Sequence, residues 1–187
     1  AMARLGTGQL SLTKVRVLVG AERDPRDFRA VLRDIGQRFD PEDHMWLLPF
    51  APLDTLDFTS FTMHVGSKLV LDACGGVLRP EPAPPPFDFA RLDGRIERWK
   101  LLDGGFLVLA VREGGRAVVE KVVAAKPDVR FVVAVSLDVN LEDDENLQWG
   151  IFTRFDPARD IVVSEQVFVG ARPVYRGIIG IDATWKQ

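Results

Sequence analysis

Two stretches of the chain, "VRVLVGAERDPRDFRAVLRDIGQRFDP" (Val15 to Pro41) and "FVVAVSLDVNLEDDENLQWGIFTRFDP" (Phe131 to Pro157), align without a gap and close on the same four letters, 116 residues apart. Few positions are identical, but the physical pattern is shared. Each opens on a short apolar, β-branched run, Val15 to Val19 and Phe131 to Val135, that reads as a buried strand. A polar turn follows. Asp24 and Asn140 stand at equivalent places as helix N-caps, with Asp27 and Asp143 three residues on, where negative charge favours the amino end of a helix. Pro25 then takes the first helical position, where its missing N–H costs nothing. Phe28, Val31, Leu32, Ile35 and Phe39 fall on one helical face, and Leu147, Ile151 and Phe155 repeat three of those positions. In "RFDP" the phenylalanine closes the apolar stripe, and the proline ends the helix because it disfavours helical backbone at the preceding Asp. A strand comes next in each copy, "HMWLLPF" from His44 and "DIVVSEQVFV" from Asp160. The unit is strand, helix, strand, with a right-handed crossover and a parallel pair.

The likeness resumes further on, where "GSKLVLDAC" (Gly66 to Cys74) faces "GIIGIDATWK" (Gly177 to Lys186) at an offset of 110 residues. The second copy has therefore lost six residues from a loop, a change loops absorb at little cost. Between the copies lies "VLRPEPAPPPFDFARLDG", whose prolines run from Pro80 to Pro86; it reads as an extended, semi-rigid connector, with a ligand for an SH3-like module as the other reading. After it, "GGFLVLAVREGGRAVVEKVVAAKPD" reads as one more strand and helix, with Val118, Val119, Val122 and Val123 on one side. The expected organisation is a boundary segment or tag over 1–12, a first repeat over 13–76, a Pro-rich linker over 77–95, and an added strand and helix plus the second repeat over 96–187. The expected fold class is α/β: a three-layer αβα sandwich with a mostly parallel or mixed sheet, built from two diverged βαβ-type repeats.

Composition narrows the function. The 187 residues are 47% hydrophobic, enough for a substantial core. The 24 basic and 27 acidic side chains are spread along the chain, so no basic face marks a nucleic-acid partner. Apolar runs such as "FLVLAV" (Phe106 to Val111) fall far short of the roughly 20 residues of a membrane-spanning helix. A single cysteine, Cys74, suits a reducing cytoplasm, and with no Cys-His pattern around it reads as a small residue at a strand end.

Each motif that could carry chemistry also has a simpler role. "GTGQ" (Gly6 to Gln9) precedes a strand instead of following one, so it lacks the context of a dinucleotide site. "GSK" (Gly66 to Lys68) lacks the upstream glycine of a phosphate loop and leads into a strand. His44 and His64, the only histidines, have just Asp54 and Asp57 as near companions for a metal. Those two aspartates could alternatively form an acid and base pair, but the spacing fits an Asx-turn loop better. Asp72 and Asp182 each end an apolar strand next to an alanine, which suits backbone capping. A place at an interface or active-site mouth is the other reading, since crevices form at the carboxyl ends of parallel strands.

The ordered series "GQLSLTKVRVLVGAERDPRDFRAVL", "RFDP", "DTLDFTS", "GSKLVLDA", "RFDPARDIVV" and "GIDATWK" resembles the C-terminal domain of the UbiD family of carboxy-lyases, over nearly the whole chain apart from the linker. The resemblance implies reversible decarboxylation of aromatic or α,β-unsaturated acids with prenylated flavin mononucleotide, a divalent metal such as manganese, and potassium. It also implies that a preceding domain holds flavin and metal and supplies a glutamate, arginine, glutamate set. Glu97 and Arg98 in "IERW" are adjacent in the chain and do not form that set. No catalytic, cofactor-binding or metal-ligating residue is carried over to this chain. Two loops depart from the family pattern: "GAERDP" after the first strand, and "GARPVYRG" where the first copy has "DTLDFTS". Ala1-Met2 reads as a remnant ahead of a domain boundary. The expected role is assembly of subunits and closure over the active site of an upstream flavin-binding domain, in a homo-oligomer whose contacts include some of Trp46, Phe50, Phe58, Phe61, Trp149, Phe168 and Tyr175. The alternatives are a non-catalytic scaffold or regulatory subunit that reuses the fold, and an independent small-molecule binding domain.

Overall fold

The computed structural model describes residues 8–60, 62–82 and 88–186. A 3-10 turn at Gly8–Leu12 leads into β1 (Val15–Val19), α1 (Phe28–Arg38), the single-turn α2 (Pro41–His44), β2 (Met45–Pro52) and β3 (Val65–Ala73). Next come α3 (Phe89–Leu92), β4 (Ile96–Leu102), a 3-10 turn at Asp103–Gly105, β5 (Phe106–Val111) and α4 (Gly115–Ala124). The chain ends with β6 (Phe131–Ser136), α5 (Asp144–Phe152), the single-turn α6 (Pro157–Asp160), β7 (Ile161–Val169) and β8 (Arg172–Ala183). The class is mixed α/β, with the strands divided between two sheets of order β1-β3-β2 and β4-β5-β6-β8-β7.

The order and pairing β1–α1–α2–β2–β3 recur in β6–α5–α6–β7–β8, and both differ from a simple βαβ crossover in one respect. The parallel partner of the first strand is the third, with β3 on β1 and β8 on β6, while β2 and β7 lie antiparallel on the outside. Burial explains this order. The third strand can be covered on both faces, as the run of buried residues in β3 shows, whereas β2 carries Pro49 and Pro52 and is exposed toward its end. Proline cannot donate to a ladder and belongs on an edge.

The helix starts also differ from expectation. The N-caps are Asp27, whose carboxylate accepts from the Ala30 N–H at 3.0 Å, and Asp143, which accepts from Glu145 and Asn146 N–H at 3.0 and 3.1 Å. Asp24 and Asn140 instead accept from Arg26 and Glu142 N–H at 2.9 and 3.0 Å, closing a turn ahead of each helix, and Pro25 lies in that turn. The helix begins where the apolar stripe does, at Phe28, so the nearer carboxylate caps it.

"RFDP" ends one helix and starts another. The helices stop at Arg38 and Phe152. Phe39 and Phe155 are fully buried, and Asp40 and Asp156 then cap α2 and α6 by accepting from Glu42 and Ala158 N–H, with the proline at the first position of the new turn. The arginines reach the tail of their own unit. Arg38 donates to the Gly75 carbonyl at 2.7 Å beyond β3, and the Arg154 guanidinium lies 4.1 Å from the Trp185 ring beyond β8.

One core cluster joins Leu32 and Ile35 of α1 and Leu147 and Ile151 of α5 to inner-face side chains of both sheets, among them Leu69, Leu71, Val133 and Ile181. A second lies on the other face of the five-stranded sheet, where Val118, Val119 and Val122 of α4 meet Leu107, Leu109 and Val132. Helix α1 comes so close to the turn before β5 that a Cβ on Gly104 would lie 1.9 Å from the Leu32 carbonyl oxygen; with φ 69° there as well, only glycine fits. The described ends of the proline connector are docked: Leu78 N–H donates to Gln37 O at 2.8 Å, Glu81 accepts from Gly104 N–H at 2.9 Å, and Phe89 is buried. Residues 83–87 lie outside the described part. Among the described residues no helix is long and apolar enough to cross a membrane.

Candidate functional site

The single-turn helices place polar groups across the two units. The Ser67 hydroxyl of β3 donates to Asp156 Oδ1 at 2.7 Å and accepts from Ala158 N–H at 2.8 Å, both at the start of α6. In the reverse direction, Glu42 of α2 receives two bonds of 2.9 Å from the Arg176 guanidinium of β8. The Arg176 guanidinium holds the Glu42 carboxyl below its usual range. Further along the seam, Arg29 of α1 pairs with Asp144 of α5 and with Asp103, and Arg33 pairs with Asp103 at 2.6 Å. These groups join the units into one body. Of these groups only Asp156 was legible in sequence, as a polar residue before a proline; Ser67 lies 89 residues from it, and Arg176 lies 134 from Glu42.

Two concavities stand out. One, of about 430 Å³, is lined by apolar side chains of β1 and α1 with Phe152 of α5, and Lys14 and Asp57 also line it. Lys14 Nζ is 3.0 Å from Asp57 Oδ2 and donates to Thr59 Oγ1 at 3.2 Å. Burial pushes the Asp57 carboxyl up, but the Thr59 hydroxyl and N–H and the Lys14 ammonium outweigh it and hold it below the ordinary value. The other concavity, of about 600 Å³, holds Arg79, Arg130 and Arg176 together with Asp128 and Glu165. Its guanidiniums already face carboxylates: Arg130 lies 3.6 Å from Asp128, Arg79 3.8 Å from Asp40, and Arg176 is held by Glu42.

The residues with potential chemistry are dispersed. His44 Nδ1 accepts from Asp40 N–H at 3.2 Å, while His64 is exposed with φ 64°, in the connection between β2 and β3. Asp54 accepts from Leu56 N–H at 2.9 Å and Asp57 from Thr59 N–H at 3.0 Å, an Asx turn each. Asp72 accepts from Cys74 N–H at 3.1 Å. Asp182 accepts from the Thr184 N–H and hydroxyl at 3.1 and 2.7 Å and pairs with Lys186 at 2.9 Å. Exposed Cys74 points its thiol at the Val19 carbonyl, 3.3 Å away. Glu97 pairs with Arg112, whereas Arg98 donates to the Leu137 carbonyl. Gly6 lies outside the described residues, and Gly8 and Gln9 belong to the first 3-10 turn.

Flavin phosphate and a divalent metal do not fit these residues. Gly66–Lys68, expected as a turn ahead of a strand, lies inside β3 itself, and the Lys68 ammonium, pushed down by burial, is bonded to the carbonyls of Ser11 and Thr13 at 2.7 and 3.1 Å. Among the described residues no three His, Cys, Asp or Glu side chains converge on a metal position.

Fold and site together define a mixed α/β domain built from two units of the same strand order. The family model of the 3-octaprenyl-4-hydroxybenzoate carboxy-lyase C-terminal domain matches residues 1–73 and 106–182, and the chain belongs to that family. It is 28% identical over 190 residues to a 4-hydroxybenzoate decarboxylase subunit of Chlamydia pneumoniae, covering 100% of this chain and 32% of that protein. An uncharacterized protein of Archaeoglobus fulgidus is 40% identical over 68 residues, 36% of this chain and 14% of that protein. The chain thus spans a third or less of these relatives. Among solved structures it is similar to the UbiD-class enzyme HmfF from Pelotomaculum thermopropionicum in complex with FMN, with TM-score 0.41, 20% identity, and coverage of 52% of this chain and 25% of that one. It is also similar to the open form of the Sedimentibacter hydroxybenzoicus vanillic acid decarboxylase, with TM-score 0.42, 13% identity, and coverage of 76% and 37%.

Proposed function

We propose that the chain is the C-terminal part of a UbiD-type decarboxylase acting on an aromatic or unsaturated acid, and that it assembles subunits and closes over an active site held by the preceding polypeptide. The observation that carries this reading is the match of most of the chain to the C-terminal family model, in relatives about three times as long. The chemistry of the described residues supports it, because acid and base catalysis needs groups converging on one reacting centre. Here the carboxylates that could serve are held in turns and ion pairs. Prenylated flavin mononucleotide, with manganese and potassium, would be bound outside these residues. The five-stranded sheet and the seam between units supply a rigid body from which exposed aromatics reach other subunits. A reducing cytoplasm suits the lone exposed thiol.

The test is to incubate the purified chain, and separately the full-length protein, with prenylated flavin, manganese and potassium. After gel filtration the chain is expected to retain no chromophore and to release no carbon dioxide from aromatic acids, while the full-length protein does both. A stoichiometric flavin signal on the chain alone would overturn the assignment. A full-length protein that binds no flavin would leave the scaffold reading in its place.

A further inference from the structure

The two units share strand order and connections but differ at the first strand. In the second unit β6 is flanked on both sides, by β8 and by the parallel strand β5, and Phe131 to Val135 are all buried. In the first unit β1 pairs, among the described residues, with β3 alone, and its five residues are all half-buried. Leu69 N–H donates to Lys14 O at 2.9 Å. Since alternate residues of a parallel strand bond to opposite neighbours, the backbone groups of Val15 and Val17 face the open edge. The apolar cavity of about 430 Å³ lies beside this edge, bounded by Val15, Val17, Val19, Pro25, Phe28 and Val31. An exposed edge with an apolar face is a template for one more strand.

We propose that the open edge of β1 receives a parallel, apolar strand from the polypeptide preceding residue 1 in the longer protein, in the position β5 takes beside β6. The spacing identifies the source. β5 begins 25 residues before β6, and the same interval counted back from Val15 passes the first residue of the chain. The Chlamydia pneumoniae relative, of which the chain covers 32%, has ample polypeptide for it. Side chains of such a strand would fill the cavity as Phe106, Val108 and Ala110 of β5 fill the core against Phe131 and Val133. The proposal rests on the reading of the chain as part of a longer carboxy-lyase, but on none of its chemistry.

Amide hydrogen exchange of Val15 and Val17, measured on the full-length protein and on the 187-residue chain, decides it. The expected result is exchange at least about a hundredfold slower in the full-length protein, whatever the oligomeric state of the chain alone. Equally fast exchange in both would overturn the proposal. So would equally slow exchange in both, which would place the cover within the chain or in a second copy of it. Decarboxylation is read separately. An inactive full-length protein with protected β1 amides would defeat the functional reading and leave this one standing.

Discussion

Ser67 and Asp156, 89 residues apart in the chain, meet in the buried seam between the two units, with Ser67 Oγ 2.7 Å from Asp156 Oδ1. Through the same oxygen Ser67 also accepts the Ala158 N–H, so one hydroxyl satisfies a carboxylate and the first turn of α6 together. Removing it leaves a buried acceptor short of a partner. The Ser67→Ala variant is expected to lose about 1–3 kcal/mol in urea denaturation, and a loss below about 0.5 kcal/mol would remove this bond from the stabilising seam.

The phenylalanines of the repeated tetrapeptide are core residues, Phe39 at 2% and Phe155 at 0% exposure. Phe39 packs 5.7 Å from the Phe131 ring, and Phe155 lies 5.5 Å from the Lys14 ammonium. Replacing either with alanine should cost about 3–5 kcal/mol. A loss under about 1 kcal/mol in chemical denaturation would show that the site collapses without leaving a cavity.

Asp93 supplies a pH dependence. Hydrogen bonds from the Arg95 guanidinium, at 2.9 and 2.8 Å, and from its backbone N–H at 3.0 Å hold this buried carboxyl well below the usual carboxylate range, against the opposing effect of burial, with Lys121 adding to the same direction. A depressed folded-state value means stability that is fully present above the unfolded value and lost as pH falls toward the folded one. The Asp93→Asn variant should therefore be weakened most near neutrality, and the gap to the parent should begin closing below about pH 4. Denaturant midpoints across that range check the sign; a gap that widened in acid would refute it.

Of the aromatics expected at contacts between subunits, Phe50, Phe58, Trp149 and Phe168 are exposed, Trp46 is half-buried and Tyr175 is buried; Phe61 lies outside the described residues. Phe50 stands apart. It is 90% exposed, with φ 55° at a shift in the β2–β3 register, a backbone region where a side chain costs on the order of 1–2 kcal/mol. The Phe50→Gly variant should leave stability unchanged or raise it, while weakening self-association about tenfold in sedimentation of the full-length protein. Unchanged association would take Phe50 out of the interface.

Local chemistry was legible in the residues themselves. Strand runs, the stripe from Phe28 to Phe39 and the helix stop before Pro41 and Pro157 all depend on residues within a few positions of one another, where periodicity and capping act, while the family membership was carried by the order of motifs along the chain. Even the misplaced caps, Asp24 and Asn140 for Asp27 and Asp143, missed by one turn, because both members of each pair are good caps and only the packing of the stripe chooses between them. Strand order could not be read the same way. That the third strand of each unit sits centrally depends on which strand can be covered on both faces, and that α2 reaches β8 while α6 reaches β3 depends on contacts such as Glu42 with Arg176, 134 residues apart. The edge of β1 left open among the described residues is likewise a property of the assembled sheets, because an unpaired backbone has no signature in side-chain order.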